Sequence, residues 1–377
     1  MRIMYCIPEF YNSGGMERVL SNKINWFKKN TEYEIIVVTT DQKGNVPFYS
    51  LENNYTLIDL EINYSDDIVK NLFLRIPIYL KKRKKHLELL QKIIIEKKPD
   101  IIVSMIGPEL YFLPYLKLGK SKIIREHHFN KYASLFEEKR KIYKLKNLFK
   151  IYKEKKLIER YDKFIVLTEE DKKQWQSSEI QVINNSLSFY PRVTSNLDNK
   201  KVISVGRLVY QKGYDLLIEI WKKVNVKHPD WILEIYSEGP LHKELQSKIE
   251  KYELEKNIFL KGREKNIQEK YLESSIYVMT SRYEGFGMVL VEAQACGLPI
   301  VSFDCPCGPK DIINDGEDGF LCKFGNIDEM ANKIVYLIEN EEKRKSFGMK
   351  ARENSLRFSE EVIMRQWKEL FESLIEE

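Results

Sequence analysis

With 377 residues, 43% of them hydrophobic, the chain can fill two ordinary domain cores, which excludes a disordered or single small-domain protein. No apolar run approaches the length of a membrane span, and residues 1–8 lead straight into a strand without the layout of a signal peptide, so a cytoplasmic chain is expected. Five scattered cysteines, an odd number, argue against a disulfide framework, and a net charge of +6 without a recognition motif places nucleic acid last among partners.

In chain order, residues 2–7 read as a strand, Gly14-Gly15 as a turn, residues 17–29 as a helix with Val19, Leu20, Ile24 and Phe27 on its apolar side, and residues 33–40 as a second strand. Further strand signals fall at 56–60, 100–105, 122–125 and 163–167, with helical stretches near 78–97, 109–117 and 136–159. This alternation predicts a parallel sheet covered on both faces. Two basic clusters, residues 81–85 and 139–156, read either as solvated helix faces or as a surface that lies on anionic lipid. Residues 190–200 are polar and aperiodic, as an interdomain linker is. Strands are then predicted at 201–205, 231–236, 257–261, 275–280 and 300–303, with a helix over 213–226 and a long amphipathic helix over 360–375 able to pack on either domain. Cys305-Pro306-Cys307 lacks a second pair at metal spacing, so no zinc site is expected.

Ligands of open α/β sheets bind beyond the carboxyl ends of the strands. There the first half offers Gly14-Gly15-Met16-Glu17, Ser104 to Gly107 and Glu126-His127-His128; the second offers Gly206-Arg207, Lys212, Ser237-Glu238-Gly239, Ser281 to Gly287 and Asp304 to Gly308. The central stretch, residues 281–299, reads as a Gly-rich turn entering a helix, so the N–H groups of Gly287, Met288 and Val289 point at one spot attractive to an anion. Glu284 lies in that turn. Glu292 lies on a helix otherwise nearly all apolar, and is therefore a buried carboxylate that needs either backbone partners or a ligand. Arg207 and Lys212 straddle the turn after the 201–205 strand, where both charges can meet one anion with Asp215 beside them; such a pair stabilises a departing diphosphate without metal. His127 or His128 can hydrogen-bond a sugar hydroxyl or a reacting oxygen. Asp-x-Asp, the usual mark of a Mg-diphosphate site, is missing from every strand end, so no catalytic divalent metal and no cofactor are expected.

Taken together, Glu284-Gly-Phe-Gly-Met-Val-Leu-Val-Glu292, Gly206-Arg-Leu-x-x-x-Lys-Gly213, Gly14-Gly15-Met16-Glu17 and the Glu126-His127 step resemble the motifs of family-4 retaining glycosyltransferases, in the order that family keeps. Val182-Ile-Asn-Asn185 is similar to the family's Val-Ile-Pro-Asn turn with Asn184 for proline, and Ser237-Glu238-Gly239 to its Gly-Asp/Glu-Gly loop with Ser237 for glycine. The resemblance implies the GT-B fold, two Rossmann-like domains facing across a cleft. An acceptor-side domain would span 1–189, a linker 190–200, a nucleotide-sugar domain 201–356, and a final helix, 357–377, would cross back to the first domain. It also implies metal-independent, retaining transfer. Arg207 and Lys212 would hold the donor diphosphate, approached by Gly14 and Gly15; Glu284, with Gly285, Phe286 and Gly287, would grip the donor sugar; His127 would contact that sugar; Glu292 would take the ribose; and Met288, Val289 and Glu238 would complete the donor site. The expected donor is a UDP-sugar and the expected acceptor a glycan or polyprenyl-diphosphate-linked glycan of surface-polysaccharide, O-antigen or capsule assembly, at the inner face of the plasma membrane. A nucleotide-sugar 2-epimerase of the same architecture and a non-catalytic basic membrane adaptor are the alternatives.

Overall fold

Runs such as Ile35-Ile-Val-Val38 carry no polar alternation, and a strand without a polar face must be covered on both sides. The computed structural model describes residues 1–51, 55–67, 72–137, 141–177 and 179–376. In it these runs form a seven-stranded sheet of order β3-β2-β1-β4-β5-β6-β7, every pair parallel, from β1 (Arg2–Cys6), β2 (Glu34–Thr39), β3 (Tyr55–Asp59), β4 (Ile101–Ser104), β5 (Lys122–Glu126), β6 (Lys163–Val166) and β7 (Ile180–Val182). A second, six-stranded parallel sheet has the order β10-β9-β8-β11-β12-β13, from β8 (Lys201–Val205), β9 (Ile232–Tyr236), β10 (Ile258–Gly262), β11 (Ile276–Met279), β12 (Ile300–Asp304) and β13 (Gly319–Lys323). The chain reverses direction across each sheet between β1 and β4 and between β8 and β11. A crevice opens at the carboxyl ends of those two pairs, where open sheets bind ligands.

Three local features differ from the expectation. Residues 109–117 do not form a helix but two short 3-10 turns, Pro108–Tyr111 and Leu113–Tyr115, because Pro114 lacks the N–H and the clearance that a continuous helix needs. The stretch 136–159 holds two helices, Ala133–Glu137 and Lys141–Ile158; residues 138–140, Lys139 of the basic cluster included, lie outside the described residues. The edge strands β7 and β13 were not anticipated: one has only three residues, and the other starts on Gly319 and ends on Lys323, weak strand signals that pairing along β6 and β12 overrides.

Residues 190–200 contain no helix or strand and are tied to the second unit. Ser195 N–H donates to Cys296 O at 2.9 Å, its hydroxyl donates to Ser274 O at 2.5 Å, and Arg344 Nε donates to Leu197 O at 3.1 Å. The final helix, Glu360–Glu376, packs on the first unit: Ile363, Met364, Trp367, Leu370, Phe371 and Leu374 share one core with Ile3, Tyr5, Leu20, Ile24 and Phe27. At that junction Lys23, from the Gly15–Asn30 helix, is fully buried with its ammonium 3.5 Å from the centre of the Trp367 ring and paired with Glu126 at the end of β5.

Trp367→Ala removes a fully buried ring and half of the setting of a buried ammonium. The variant is expected to lose about 3–5 kcal/mol of stability in urea unfolding, and a midpoint equal to that of the parent would show that the final helix does not stabilise the first unit.

Candidate active site

In the second unit, the turn after β8 and the turn after β11 are pressed together. Gly213, at φ +66°, closes the 3-10 turn Tyr210–Lys212, and its Cα faces the Thr280 carbonyl so closely that a Cβ has no room. Across this contact Lys212 Nζ donates to Glu284 Oε1 at 2.6 Å, and Ser281 Oγ donates to the same oxygen at 2.6 Å. Glu284 is only 5% exposed, so both bonds offset a real desolvation cost. Arg207 leaves the end of β8 exposed and has no acidic partner among the described residues. Asp215 does not serve this pair. Its carboxylate is taken by both terminal nitrogens of Arg282, at 2.9 and 2.7 Å, because Arg282 lies over the Tyr210 ring, 4.0 Å from its centre, and reaches the start of the Tyr214–Lys227 helix first. Glu238, beyond β9, is exposed and paired with Arg263 at 3.0 Å.

The Gly-rich turn does enter a helix, Met288–Ala295, through Gly287 at φ +99°. The Gly287, Met288 and Val289 N–H groups have no acceptor among the described residues, so three donors and the positive end of a short helix face the crevice together. Gly285 lies against the His128 carbonyl of the first unit with no space for a Cβ, and Phe286 is buried edge-on to Phe358, 5.5 Å between centres. Gly308, at φ +121°, is pressed in turn against the Phe286 carbonyl. Glu292 is buried as expected and has side-chain partners: Arg18 Nη1 lies 3.7 Å from Oε1, and the Tyr271 hydroxyl lies 3.4 Å from Oε2. Burial raises its pKa, and Arg18 is the strongest influence opposing that rise.

The first unit supplies the facing wall. Gly14 stands at the start of the Gly15–Asn30 helix, and the buried Glu17 carboxylate folds back over it, leaving no room for a Cβ there. Successive side chains of an extended segment point to opposite faces, and beyond β5 the two histidines do so. His127 packs among Trp175, Phe164 and Phe129, with its Nε2 shielded from solvent and without a partner among the described residues; burial pushes its pKa well below the usual range, so it is a neutral imidazole. His128 Nε2 lies 3.0 Å from Glu126 Oε1, on the carboxylate that Lys23 also holds. Across the cleft the units also meet where Phe136 stacks on Tyr283, 5.2 Å between centres at 17°, where Asn130 Nδ2 donates to Cys307 Sγ at 3.0 Å, and where Cys307 N–H donates to Glu170 Oε2 at 2.8 Å. Cys305 and Cys307 are buried thiols, and among the described residues no three His, Cys, Asp or Glu side chains are placed to hold a metal ion.

Thus Lys212, Glu284, Gly285, Phe286, Gly287 and Glu292 gather at one crevice, with Gly14, Gly15 and the histidine segment on the opposite wall. Sequence reasoning missed Arg18 and Lys23, and it placed Ser281 in the strand-end stretch without giving it a partner. The only signal for Arg18 was its place one residue after Glu17 on a helix that opens at a strand end; a buried lysine such as Lys23 is indistinguishable in sequence from a solvated one.

Residues 190–354 match the family described as glycosyl transferases group 1. The chain is 29% identical to an uncharacterised glycosyltransferase of Haemophilus influenzae, over 97% of this chain and 99% of that one. It is 31% identical to the poly(ribitol-phosphate) alpha-N-acetylglucosaminyltransferase of Staphylococcus aureus, over 86% of this chain and 66% of that one. Among solved structures, S. aureus TarM crystallised with fondaparinux, alpha-GlcNAc-glycerol and UDP superposes with a TM-score of 0.78 at 22% identity, over 98% of this chain and 99% of that one. The chain therefore has the GT-B fold and carries a group 1 glycosyltransferase domain in its second half.

Proposed function

We propose that this glycosyltransferase is a retaining, metal-independent enzyme of family 4, moving a hexose or N-acetylhexosamine from a UDP-sugar to a glycan or lipid-linked glycan acceptor in bacterial surface-polysaccharide synthesis. The observation that carries this reading is the pairing of an unengaged Arg207 with the Lys212–Glu284 contact at the β8/β11 crevice, beside the three open N–H donors of the following helix. A diphosphate draws Lys212 and Arg207 to itself and leaves Glu284 free to accept from the hydroxyls of the sugar. The ribose hydroxyls reach Glu292, whose contact with Arg18 is long enough to yield. The bond from the anomeric carbon to the leaving phosphate breaks, the acceptor oxygen bonds that carbon on the same face, and its proton passes to the departing phosphate oxygen. The cations stabilise the charge that grows there. The UDP in the TarM crystal supports uracil as the base, and the polymer named for the S. aureus relative supports a surface-glycan acceptor.

No helix among the described residues is long and apolar enough to cross a membrane. The Lys141–Ile158 helix nevertheless exposes Leu145, Leu148, Phe149 and Tyr152 between lysines, an arrangement suited to lying on anionic lipid and to meeting a lipid-linked acceptor there.

Titration with UDP, GDP and ADP in the presence of EDTA should raise the thermal midpoint for UDP alone; no rise in folded protein removes the donor assignment. Arg207→Ala, at an exposed position, should leave the circular-dichroism spectrum intact and lower turnover by about 10²–10³-fold, and near-normal turnover would rule out its role on the diphosphate. Replacing Lys144, Lys146, Lys150 and Lys153 with Glu should abolish sedimentation with phosphatidylglycerol vesicles but leave UDP affinity unchanged; equal vesicle binding would dismiss the membrane face.

A further inference from the structure

We propose that Arg18 is a positioning residue for the donor: reaching across the cleft from the first unit, it pairs with Glu292 of the second and through that carboxylate sets the preference for a ribose diol over a deoxygenated sugar. The assignment rests on the transferase reading above, which brings the ribose hydroxyls to Glu292. Arg18 sits one turn into the Gly15–Asn30 helix, its N–H donating to Gly14 O at 3.2 Å, so it shares a face with the glycine turn at the crevice. Val19, Leu20, Ile24 and Phe27 of the same helix are buried in the first unit instead.

The guanidinium has a neighbour on each unit. Nη1 lies 3.7 Å from Glu292 Oε1, and the central carbon lies 6.0 Å from the centre of the Tyr49 ring, on the segment after β2. A contact of 3.7 Å is longer than a charge-assisted hydrogen bond, which closes to about 2.7–2.9 Å. The other carboxylate oxygen, Oε2, has the Tyr271 hydroxyl at 3.4 Å, which is also long. A carboxylate offers about four acceptor positions, so these two contacts and the Ser188 hydroxyl leave capacity for a vicinal diol. Arg18 can therefore cede its place on the oxygen and still act on it as a charge.

The groups around Glu292 are Arg18 and Tyr49 from the first unit, Ser188 from the stretch leading into residues 190–200, and Tyr271, Tyr277 and Cys296 from the second unit. Burial raises the pKa of the phenols and of the thiol, so among these described residues Arg18 alone is charged at neutral pH. Burial is also the largest influence on Glu292 and favours its neutral form; Arg18 is the largest influence against it. The difference matters to a diol. A carboxylate accepts on both oxygens, whereas the neutral acid turns one of them into a donor, and hydrogen bonds to the ionised form are roughly twice as strong. Because Arg18 and Glu292 belong to different units, the carboxylate has its counter-charge only where the units face one another.

Titration calorimetry of UDP and of 2′,3′-dideoxy-UDP from about pH 5 to pH 8 tests this on the parent, Arg18→Ala and Arg18→Lys, with the unfolding midpoint followed at each pH. The two nucleotides carry the same diphosphate, so the ratio of their affinities isolates the ribose. The parent should bind UDP about tenfold more tightly than the dideoxy nucleotide and lose that preference as the pH falls and Glu292 takes up a proton. Removing the cation raises the pKa of Glu292 further, so in Arg18→Ala the loss should come about one pH unit higher, and Arg18→Lys should return it toward the parent. An unmoved profile in Arg18→Ala, equal weakening of both nucleotides, or Arg18→Lys behaving as Arg18→Ala overturns the proposal. A parent that binds both nucleotides equally overturns it too and leaves the transferase reading standing. A folded parent that binds neither counts against that reading, and the proposal falls with it.

Discussion

Glu284 is a carboxylate that the fold has taken out of water, and its need for partners joins the two strand ends that make the candidate site. Lys212, on the turn after β8, and Ser281, on the turn after β11, share one of its oxygens. Hydrogen bonds onto backbone carbonyls hold the same two turns in register: Arg282 N–H donates to Gln211 O at 2.7 Å, Gln211 Nε2 donates to Tyr283 O at 2.9 Å, and the Thr280 hydroxyl donates to Lys212 O at 3.1 Å. The spacing from Gly206 to Gly213 and the spacing from Ser281 to Gly287 are therefore two halves of one constraint. Each turn is shaped by the space the other leaves, which is why Gly213 has no room for a side chain. An ion pair at this depth contributes little net stability; on the function proposed above, its value is that it can be exchanged for the donor diphosphate.

The opposite wall rests on a second buried charge cluster. Burial lowers the pKa of Lys23 against the pull of Glu126; it would raise that of Glu126, but Lys23 and His128 outweigh it and hold the carboxyl down. The two remain ionised together, and the Trp367 face adds a cation–π contact from the final helix. The result is a continuous path from a helix at the end of the chain, through Lys23 and Glu126, to His128, whose carbonyl sets the position of Gly285 across the cleft. The final helix thus braces the wall that the Gly285 turn touches, and its own apolar face is the reason it lies there.

What could be read from the sequence follows from how local each signal is. The alternation of apolar runs and amphipathic helices marked eleven of the thirteen strands among the described residues, the exceptions being the edge strands Ile180–Val182 and Gly319–Lys323. The buried state of Glu292 was legible because its neighbours on the helix are apolar, and the structure keeps it 5% exposed. Its partner was not legible: Arg18 lies 274 positions away in the chain, and only the closing of the two units brings it to 3.7 Å. Asp215 was misread for a related reason. Sequence proximity to Lys212 suggested a pair, whereas the competing Arg282 arrives from another strand with both nitrogens aimed at the carboxylate. His127 and His128 are adjacent in sequence, and only the backbone direction after β5 sends one ring into an aromatic pocket and the other onto Glu126.

Two departures from the motif pattern show how this chain tolerates them. Ser237 stands where the resemblance leads one to expect glycine, and it adopts φ +143°, a region that side chains rarely occupy and that costs about 1–3 kcal/mol. The strain persists because the segment is fixed from both ends: an isolated antiparallel bridge joins Ser237 to Gly262, and the next residue, Glu238, receives Leu208 N–H on its carbonyl at 3.0 Å. Asn184 stands where proline is expected, in the turn after β7. Proline would restrict that turn through its ring; asparagine ties it down instead by donating from Nδ2 to Leu167 O at 2.7 Å, the carbonyl just beyond β6. In both places hydrogen bonds to neighbouring strand ends hold the loop that the motif residue would otherwise shape.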